Sequence, residues 1–111
     1  MSVYWYLYSI EGLESEVERL KAEYSNLCLV VDDDLQSLSS EATSINRDTH
    51  IGNVMRKLKI LAHKNQLAVI ACSQLSRDLE RRPDKRPMLS DLRDSGAIEN
   101  EADIVSLFIS R

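Results

Sequence analysis

Three consecutive aspartates, Asp32, Asp33 and Asp34, are the side chains in this sequence best suited to chemistry. They follow the apolar run 27–31 (LCLVV), and an unbroken apolar run is typical of a strand buried on both faces of a parallel sheet. In open sheets of that kind, ligands bind beyond the carboxyl ends of the strands. Adjacent carboxylates repel one another and are stabilised by a counter-ion. The pattern therefore predicts a site for a hard cation or a metal–phosphate complex.

A solvated loop is the simpler explanation for three aspartates that follow a strand. Leu35 and Leu38 argue against it, because the chain returns at once to side chains of a type that is usually buried. We therefore expect the aspartates to be held between two packed segments.

A second predicted strand also ends in polar side chains. It covers the apolar run 67–72, and Ser73 and Gln74 follow it. Since neighbouring parallel strands have their carboxyl ends at one edge of the sheet, the two polar ends are expected to form a single site.

Length, charge and hydropathy narrow the class of protein. A chain of 111 residues forms at most one domain, and its net charge of −4 gives no general attraction to nucleic acid or anionic lipid. Any binding to nucleic acid must therefore come from a local basic patch. No apolar run approaches the roughly 20 residues of a membrane span, and residues 1–10 lack the features of a signal peptide. We expect a cytoplasmic protein with no membrane contact.

The cysteines and histidines do not have the spacing of metal ligands. Cys28 and Cys72 each lie in an apolar strand candidate, so we predict reduced thiols that are buried in the core. His50 and His63 stand in polar surroundings, and a metal role is not expected for either.

The remaining sequence predicts strands and helices in alternation. In chain order these are a strand at 3–8, a helix capped by Ser9 and reaching Tyr24, a polar loop over 37–48, a helix capped by Asp48 or Thr49 and reaching Lys64, a short helical turn over 88–96 that ends at Gly96, and a strand at 104–109. With right-handed crossovers, this order predicts an α/β fold with a mostly parallel sheet flanked by helices.

A run of mixed charge covers residues 77–86, where five of the eight charged side chains are basic. On charge alone, a solvated loop is the favoured interpretation. Residues 93–96 (RDSG) follow, and there a basic side chain, a predicted turn and a glycine coincide. We expect this place to be the local patch that contacts nucleic acid.

Three motifs stand in order along the chain: residues 30–36 (VVDDDLQ), 69–77 (VIACSQLSR) and 84–99 (DKRPMLSDLRDSGAIE). Together they resemble the RecA-like motor domain, of the P-loop NTPase type, of DnaB-type replicative DNA helicases. The resemblance runs from about Ser9 to the carboxyl end. It implies a hexameric ring that uses ATP to move along single-stranded DNA and unwind the duplex at the replication fork, with primase and a helicase loader as partners.

The resemblance also implies roles for five residues. Asp33 is the Walker B aspartate that holds Mg²⁺ on ATP, and Gln74 senses the γ-phosphate, so that both belong to the catalytic and nucleotide-binding machinery. Arg93, Asp94 and Gly96 belong to the loop that lines the central channel and grips the DNA backbone.

The sequence departs from the family pattern in several places. Asp32 replaces an apolar residue, Asp34 replaces tyrosine and Asp94 replaces glutamate. No Gly-x-x-x-x-Gly-Lys-Ser/Thr motif occurs among residues 1–111, and the family's catalytic glutamate and arginine finger lie outside the matched region. Residues 1–111 are thus predicted to be a partial, truncated motor domain, from Walker B to the DNA-binding loop, that is inactive alone.

Two alternatives compete with an active helicase segment. A phospho-receiver domain also has an acidic strand end, but it needs an acceptor aspartate at a later strand end, where this chain has Ser73 and Gln74. A catalytically inactive helicase remnant that binds DNA or docks onto a ring is the other alternative, favoured by the missing phosphate-binding loop.

Overall fold

The computed structural model describes residues 9–38, 47–75, 81–84, 86–92 and 95–108. In these ranges the chain forms three α-helices and two strands: α1 (Ile10–Glu23), β1 (Leu29–Asp32), α2 (Arg47–Asn65), β2 (Ala68–Ala71) and α3 (Ser95–Glu101). Two 3-10 turns, Leu35–Ser37 and Leu89–Asp91, lie between them. The strand predicted at 3–8 lies outside the described residues.

Helix α1 begins where its capping signal predicts. The Ser9 hydroxyl accepts a hydrogen bond from the Gly12 amide at 3.0 Å, which satisfies one of the free N–H groups of the first turn. Ile10 and Val17 of its apolar stripe are buried. No helix in the described part of the chain is long and apolar enough to cross a membrane.

The two strands pair in parallel, with Leu29 opposite Ala68 and Asp32 opposite Ala71, and α2 connects them. A parallel pair needs such a crossover, because a tight turn cannot return the chain to the same end of the sheet. The predicted parallel α/β arrangement is confirmed for this part of the chain. Helix α2 begins at Arg47, earlier than predicted, so Asp48 and Thr49 lie in its first turn rather than at its cap.

The core lies between the helices and one face of the sheet. Its most completely buried side chains are Ile10, Leu35, Ile51 and Val54. Val30, Val69 and Ala71 of the strands pack against it. Leu35 and Leu38 are only 1% and 4% exposed, which confirms that the chain returns to the core directly after the aspartates.

The opposite face of the sheet is open, so the prediction of strands buried on both faces is wrong for this chain. Leu29, Val31 and Ile70 are 46%, 58% and 52% exposed. They alternate along the strands with the residues that face the core, and no described element covers them.

The two cysteines are free, as predicted, but both are exposed. Their predicted burial is wrong. Cys28 lies directly before β1, and Cys72 lies directly after β2, where alternation places it on the same open face as Ile70.

Two predictions near the carboxyl end are also wrong. Residues 104–108 form no strand, and Ile104 and Phe108 are both 85% exposed, because no described strand lies beside them to pair with. Gly96 lies in the first turn of α3 instead of ending a helical turn.

Candidate functional site

The acidic end of β1 is held by the turn that follows it. Asp34 is the N-cap of the turn Leu35–Ser37, where its Oδ1 accepts hydrogen bonds from the Ser37 amide at 3.1 Å and from the Ser37 hydroxyl. Aspartate suits this position because its short side chain reaches back to backbone N–H groups. Leu35 then enters the core, so the carboxylates are fixed between a strand and a buried side chain.

Backbone hydrogen bonds join the ends of the two strands. The Cys72 amide donates to the Asp32 carbonyl at 2.9 Å, and the Leu35 amide donates to the Cys72 carbonyl at 2.7 Å. The parallel ladder therefore continues past the strand ends, and it brings the acidic segment beside the segment that contains Ser73 and Gln74.

Side chains complete the connection. The Gln36 amide group donates to the Ser73 hydroxyl at 2.8 Å, and its Oε1 accepts from the Gln74 backbone N–H at 3.2 Å. The side-chain amide of Gln74 donates to Asp34 Oδ2 at 2.6 Å. The two polar strand ends that the sequence identifies thus form one site, in which the contact of Gln74 is with Asp34.

The three carboxylates differ in their electrostatic surroundings. Burial, followed by the charges of Asp34 and Asp33, raises the pKa of Asp32 to about 6. Its Oδ2 atom is buried and has no hydrogen-bond partner in the described part of the chain. The pKa of Asp34 is lowered, first by the hydrogen bond from the Ser37 hydroxyl and then by that from Gln74. Negative charge is therefore favoured on Asp34 and disfavoured on Asp32.

Asp33 is exposed and accepts no hydrogen bond from the described residues. Among those residues, no three metal-ligating side chains come together, so the aspartates do not make a self-sufficient metal centre. Mg²⁺ is commonly held by one or two carboxylates together with phosphate oxygens and water. The site fits a magnesium ion that arrives with a nucleotide and takes most of its ligands from it.

The predicted nucleic-acid site is described only in part, since Arg93 and Asp94 lie outside the described residues. Gly96 is exposed at the start of α3, and a Cβ atom added there would meet nothing within 4 Å. Packing within the described chain therefore does not require a glycine at this position. The approach of another molecule to the backbone would require one.

An ion pair between Arg82 and the buried Asp91 is a further feature, which the sequence does not predict. Two hydrogen bonds of 2.7 and 2.8 Å join the guanidinium to the carboxylate. Arg82 belongs to the charge run that is interpreted above as a solvated loop, and nine positions separate it from Asp91. That spacing matches neither helical nor strand periodicity, so nothing in the sequence marks the pair.

The two histidines lie apart from the strand ends that carry the aspartates. His50 Nε2 lies 2.9 Å from the Leu38 carbonyl oxygen, and His63 is exposed near the end of α2.

Comparison with known proteins gives consistent matches over most of the chain. The family model of the DnaB-like helicase C terminal domain matches residues 6–111. The replicative DNA helicase DnaB of Helicobacter pylori is 42% identical over 102 residues, which are 92% of this chain and 21% of the relative. The same helicase of Geobacillus stearothermophilus is 45% identical over 98 residues, or 87% of this chain and 21% of that protein.

Solved structures agree with the sequence matches. A DnaB-like replicative helicase, described with its interactions with primase, superposes with a TM-score of 0.78 at 41% identity, covering 86% of this chain and 23% of that one. A solved ATPase domain gives the same TM-score and identity and covers 86% of this chain and 34% of its own. The chain thus spans about a fifth of the length of the curated relatives it matches.

Proposed function

Since this chain belongs to the family of DnaB-like helicase C-terminal domains, we propose that it is the part of a replicative helicase motor that runs from the Walker B strand to the DNA-binding loop. In the complete protein, this part supports ATP-driven movement along single-stranded DNA and unwinding of the duplex. Hydrolysis needs further segments, because residues 1–111 contain no phosphate-binding loop.

The joined ends of β1 and β2 carry this proposal. They bring a free carboxylate, a hydrogen-bonded carboxylate and a glutamine amide to one edge of the sheet, at the place where open α/β sheets bind their ligands. Mg²⁺ bound with ATP supplies positive charge that offsets the charge on the β- and γ-phosphates. The residues of this chain hold that ion and position an amide beside the phosphates.

Asp33 is the carboxylate best placed to hold the metal. Both oxygens of Asp34 are engaged, one by Ser37 and the other by Gln74. Asp32 is half-buried, with its pKa raised to about 6, so its ionised form is disfavoured. Asp33 is exposed and accepts no hydrogen bond from the described residues, which leaves its oxygens free for a ligand.

Gln74 is held in a way that suits a sensor of the γ-phosphate. Asp34 accepts its side-chain amide, and Gln36 accepts its backbone N–H. These contacts restrict the Gln74 side chain before a nucleotide binds, which lowers the entropy lost on binding. Asp34 therefore acts on the nucleotide indirectly, by orienting Gln74.

DNA binding is assigned to Arg93, Asp94 and Gly96. An arginine and an unobstructed backbone are suited to phosphate oxygens. One copy offers few such contacts and the chain has a net charge of −4, so binding by a single copy is weak. In a hexameric ring, the copies face one channel and their contacts add through effective concentration. The primase named with one similar structure is a further proposed partner, together with a helicase loader.

The test uses a complete helicase that contains this chain. It is made by replacing the matching region of the Geobacillus stearothermophilus relative and is called the exchange helicase below. Asp33→Asn should abolish Mg²⁺-dependent ATP hydrolysis, because it removes the charge that holds the metal. Asp34→Asn, the comparison variant, should be far milder, because it loosens Gln74 but leaves in place the carboxylate that holds the metal. Equal losses in the two assembled variants would contradict the assignment of the metal to Asp33.

A second candidate is a catalytically inactive module that binds DNA or docks onto a ring. Asp32 and Asp34, which replace an apolar residue and a tyrosine of the family pattern, favour it because they add negative charge beside the proposed phosphate site. Strand displacement distinguishes the two. An exchange helicase that assembles and binds DNA without unwinding it would favour the inactive module.

A further inference from the structure

The Arg82–Asp91 pair lies directly before the proposed DNA-binding segment 93–96. Arg82 Nη1 donates to Asp91 Oδ1 at 2.7 Å, and Nη2 donates to Asp91 Oδ2 at 2.8 Å, so that the contact is bidentate. The Asp91 side chain is 5% exposed and that of Arg82 is 28% exposed. Paired and hydrogen-bonded charges of this kind fix geometry as well as contributing energy.

The same two side chains hold the backbone around them. Arg82 Nη2 also donates to the Arg86 carbonyl at 2.8 Å, and Nε donates to the Asp84 carbonyl at 3.3 Å. Asp91 Oδ2 accepts from the Met88 amide at 2.7 Å. The backbone hydrogen bond from Met88, followed by Arg82, holds the pKa of the Asp91 carboxyl below its usual range. The paired side chains of Arg82 and Asp91 therefore hold the backbone at Asp84, Arg86 and Met88.

The described residues on both sides of segment 93–96 are held in place. Before it, Leu92 is 8% exposed and forms an antiparallel backbone bridge with Leu75, the residue after Gln74. After it, Ala97 and Ile98 of α3 are buried in the core. Asp91 is adjacent to Leu92, so the ion pair anchors the residue from which the segment departs.

We propose that Arg82 is a positioning residue for DNA binding. Held by Asp91, it fixes the backbone up to Leu92, the described residue directly before segment 93–96. This inference rests on the proposed DNA-binding role of that segment. Direct contact with phosphate is the alternative role for Arg82, but its guanidinium is held by a carboxylate and two carbonyls.

In the exchange helicase, Arg82→Lys keeps the positive charge at this position but changes the geometry of its hydrogen bonds. Lysine keeps the positive charge but not the planar fork that makes two parallel hydrogen bonds. If Arg82 contacted phosphate directly, Asp91→Asn would leave the affinity unchanged or raise it, because that variant removes a negative charge and releases the guanidinium. A positioning residue would lose affinity for single-stranded DNA by about three- to tenfold, the scale expected when a few side chains must be ordered on binding.

Arg86→Lys is the matched control. Arg86 is exposed in the same segment, and within the described part of the chain its contacts are made by its backbone, so the same substitution leaves them in place. Asp91→Asn is a second route to the same loss, because it keeps the shape of the side chain while removing the charge. It also keeps the proposal testable if Arg82→Lys prevents ring assembly.

The affinity of each assembled variant for a labelled oligothymidylate is measured by fluorescence anisotropy across a salt titration. ATP hydrolysis without DNA is measured in parallel. We expect Arg82→Lys and Asp91→Asn to weaken DNA binding by about three- to tenfold, with DNA-free hydrolysis unchanged and Arg86→Lys like the parent. Equal losses of DNA binding and of DNA-free hydrolysis in an assembled variant would show that the pair stabilises the domain in general, and that result would overturn the proposal.

Arg93→Ala distinguishes failure of the positioning role of Arg82 from failure of the proposed DNA-binding role of segment 93–96. If it weakens binding and Arg82→Lys does not, the positioning role is wrong while the DNA-binding assignment stands. If neither variant weakens binding, the assignment of DNA to segment 93–96 is wrong and the positioning role fails with it.

Discussion

Replacing Asp32 by asparagine should stabilise this chain near neutral pH and leave its stability almost unchanged in acid. The Asp32 carboxyl is half-buried beside two other carboxylates, and one of its oxygens has no hydrogen-bond partner in the described part of the chain. Asparagine has the same shape, and it exchanges one unpaired polar atom for another. The substitution therefore reports the cost of the charge.

The magnitude follows from the pKa. Folding raises it from 3.8 to about 6, so the folded chain binds a proton more tightly than the unfolded chain. The penalty for the ionised form is absent below about pH 4, grows as pH rises to 6 and is complete above that. This increase in pKa corresponds to a cost of about 3 kcal/mol in the free energy of unfolding. Solvent screening of a partly exposed carboxyl reduces this to about 1–2 kcal/mol.

The assay is the free energy of unfolding in urea at pH 4 and pH 7, with a chelator present. At pH 7, Asp32→Asn should gain about 1–2 kcal/mol, or about 5–10 °C in midpoint temperature for a chain of this size. At pH 4 the gain should nearly vanish. Asp103→Asn is the control, since that side chain is 84% exposed and its ion pair with Lys59 lies at the surface. An equal gain at both pH values, or a loss at pH 7, would refute the electrostatic explanation.

Two other predictions concern the isolated chain. Residues 1–111 alone should neither hydrolyse ATP nor bind it with micromolar affinity, because no phosphate-binding loop is present, and a micromolar dissociation constant in calorimetry would contradict this. Val31→Thr and Ile70→Thr should change the stability of the isolated chain by less than about 0.5 kcal/mol, because both residues are more than half exposed. In the exchange helicase, where we expect that sheet face to be covered, each should cost about 1 kcal/mol or more, and equal effects in both proteins would show that the face stays open.

The sequence predicts those parts of the structure that local signals specify. The Ser9 cap and the apolar period of the first helix give α1 correctly, because both act within a few residues. The two apolar runs give β1 and β2 and their parallel pairing. The predicted RecA-like α/β fold is confirmed by the likeness to solved helicase ATPase domains.

Errors arise where burial depends on neighbours distant in sequence. The apolar runs predict strands covered on both faces, yet Val31 and Ile70 are exposed because no described element lies over them. The same cause accounts for the wrongly predicted strand at 104–109, since residues 104–108 have no described partner strand.

The candidate site shows the same division between local and distant signals. That the two polar strand ends meet follows from parallel pairing and is predictable. That Gln74 contacts Asp34 depends on the turn that Asp34 caps, a detail of side-chain geometry. The Arg82–Asp91 pair is not predictable, because a charge run does not indicate which of its members turns inward.

Strand displacement by the exchange helicase shows whether this chain is a working part of a helicase motor. This chain replaces the matching region of the Geobacillus stearothermophilus relative, which is 45% identical to it over 98 residues. If the chain is a working part of a helicase motor, the assembled ring should unwind a forked duplex with ATP and Mg²⁺, and Asp33→Asn should abolish unwinding. An assembled ring that binds DNA but does not unwind the fork, or one in which Asp33→Asn unwinds as well as the parent, would contradict the account.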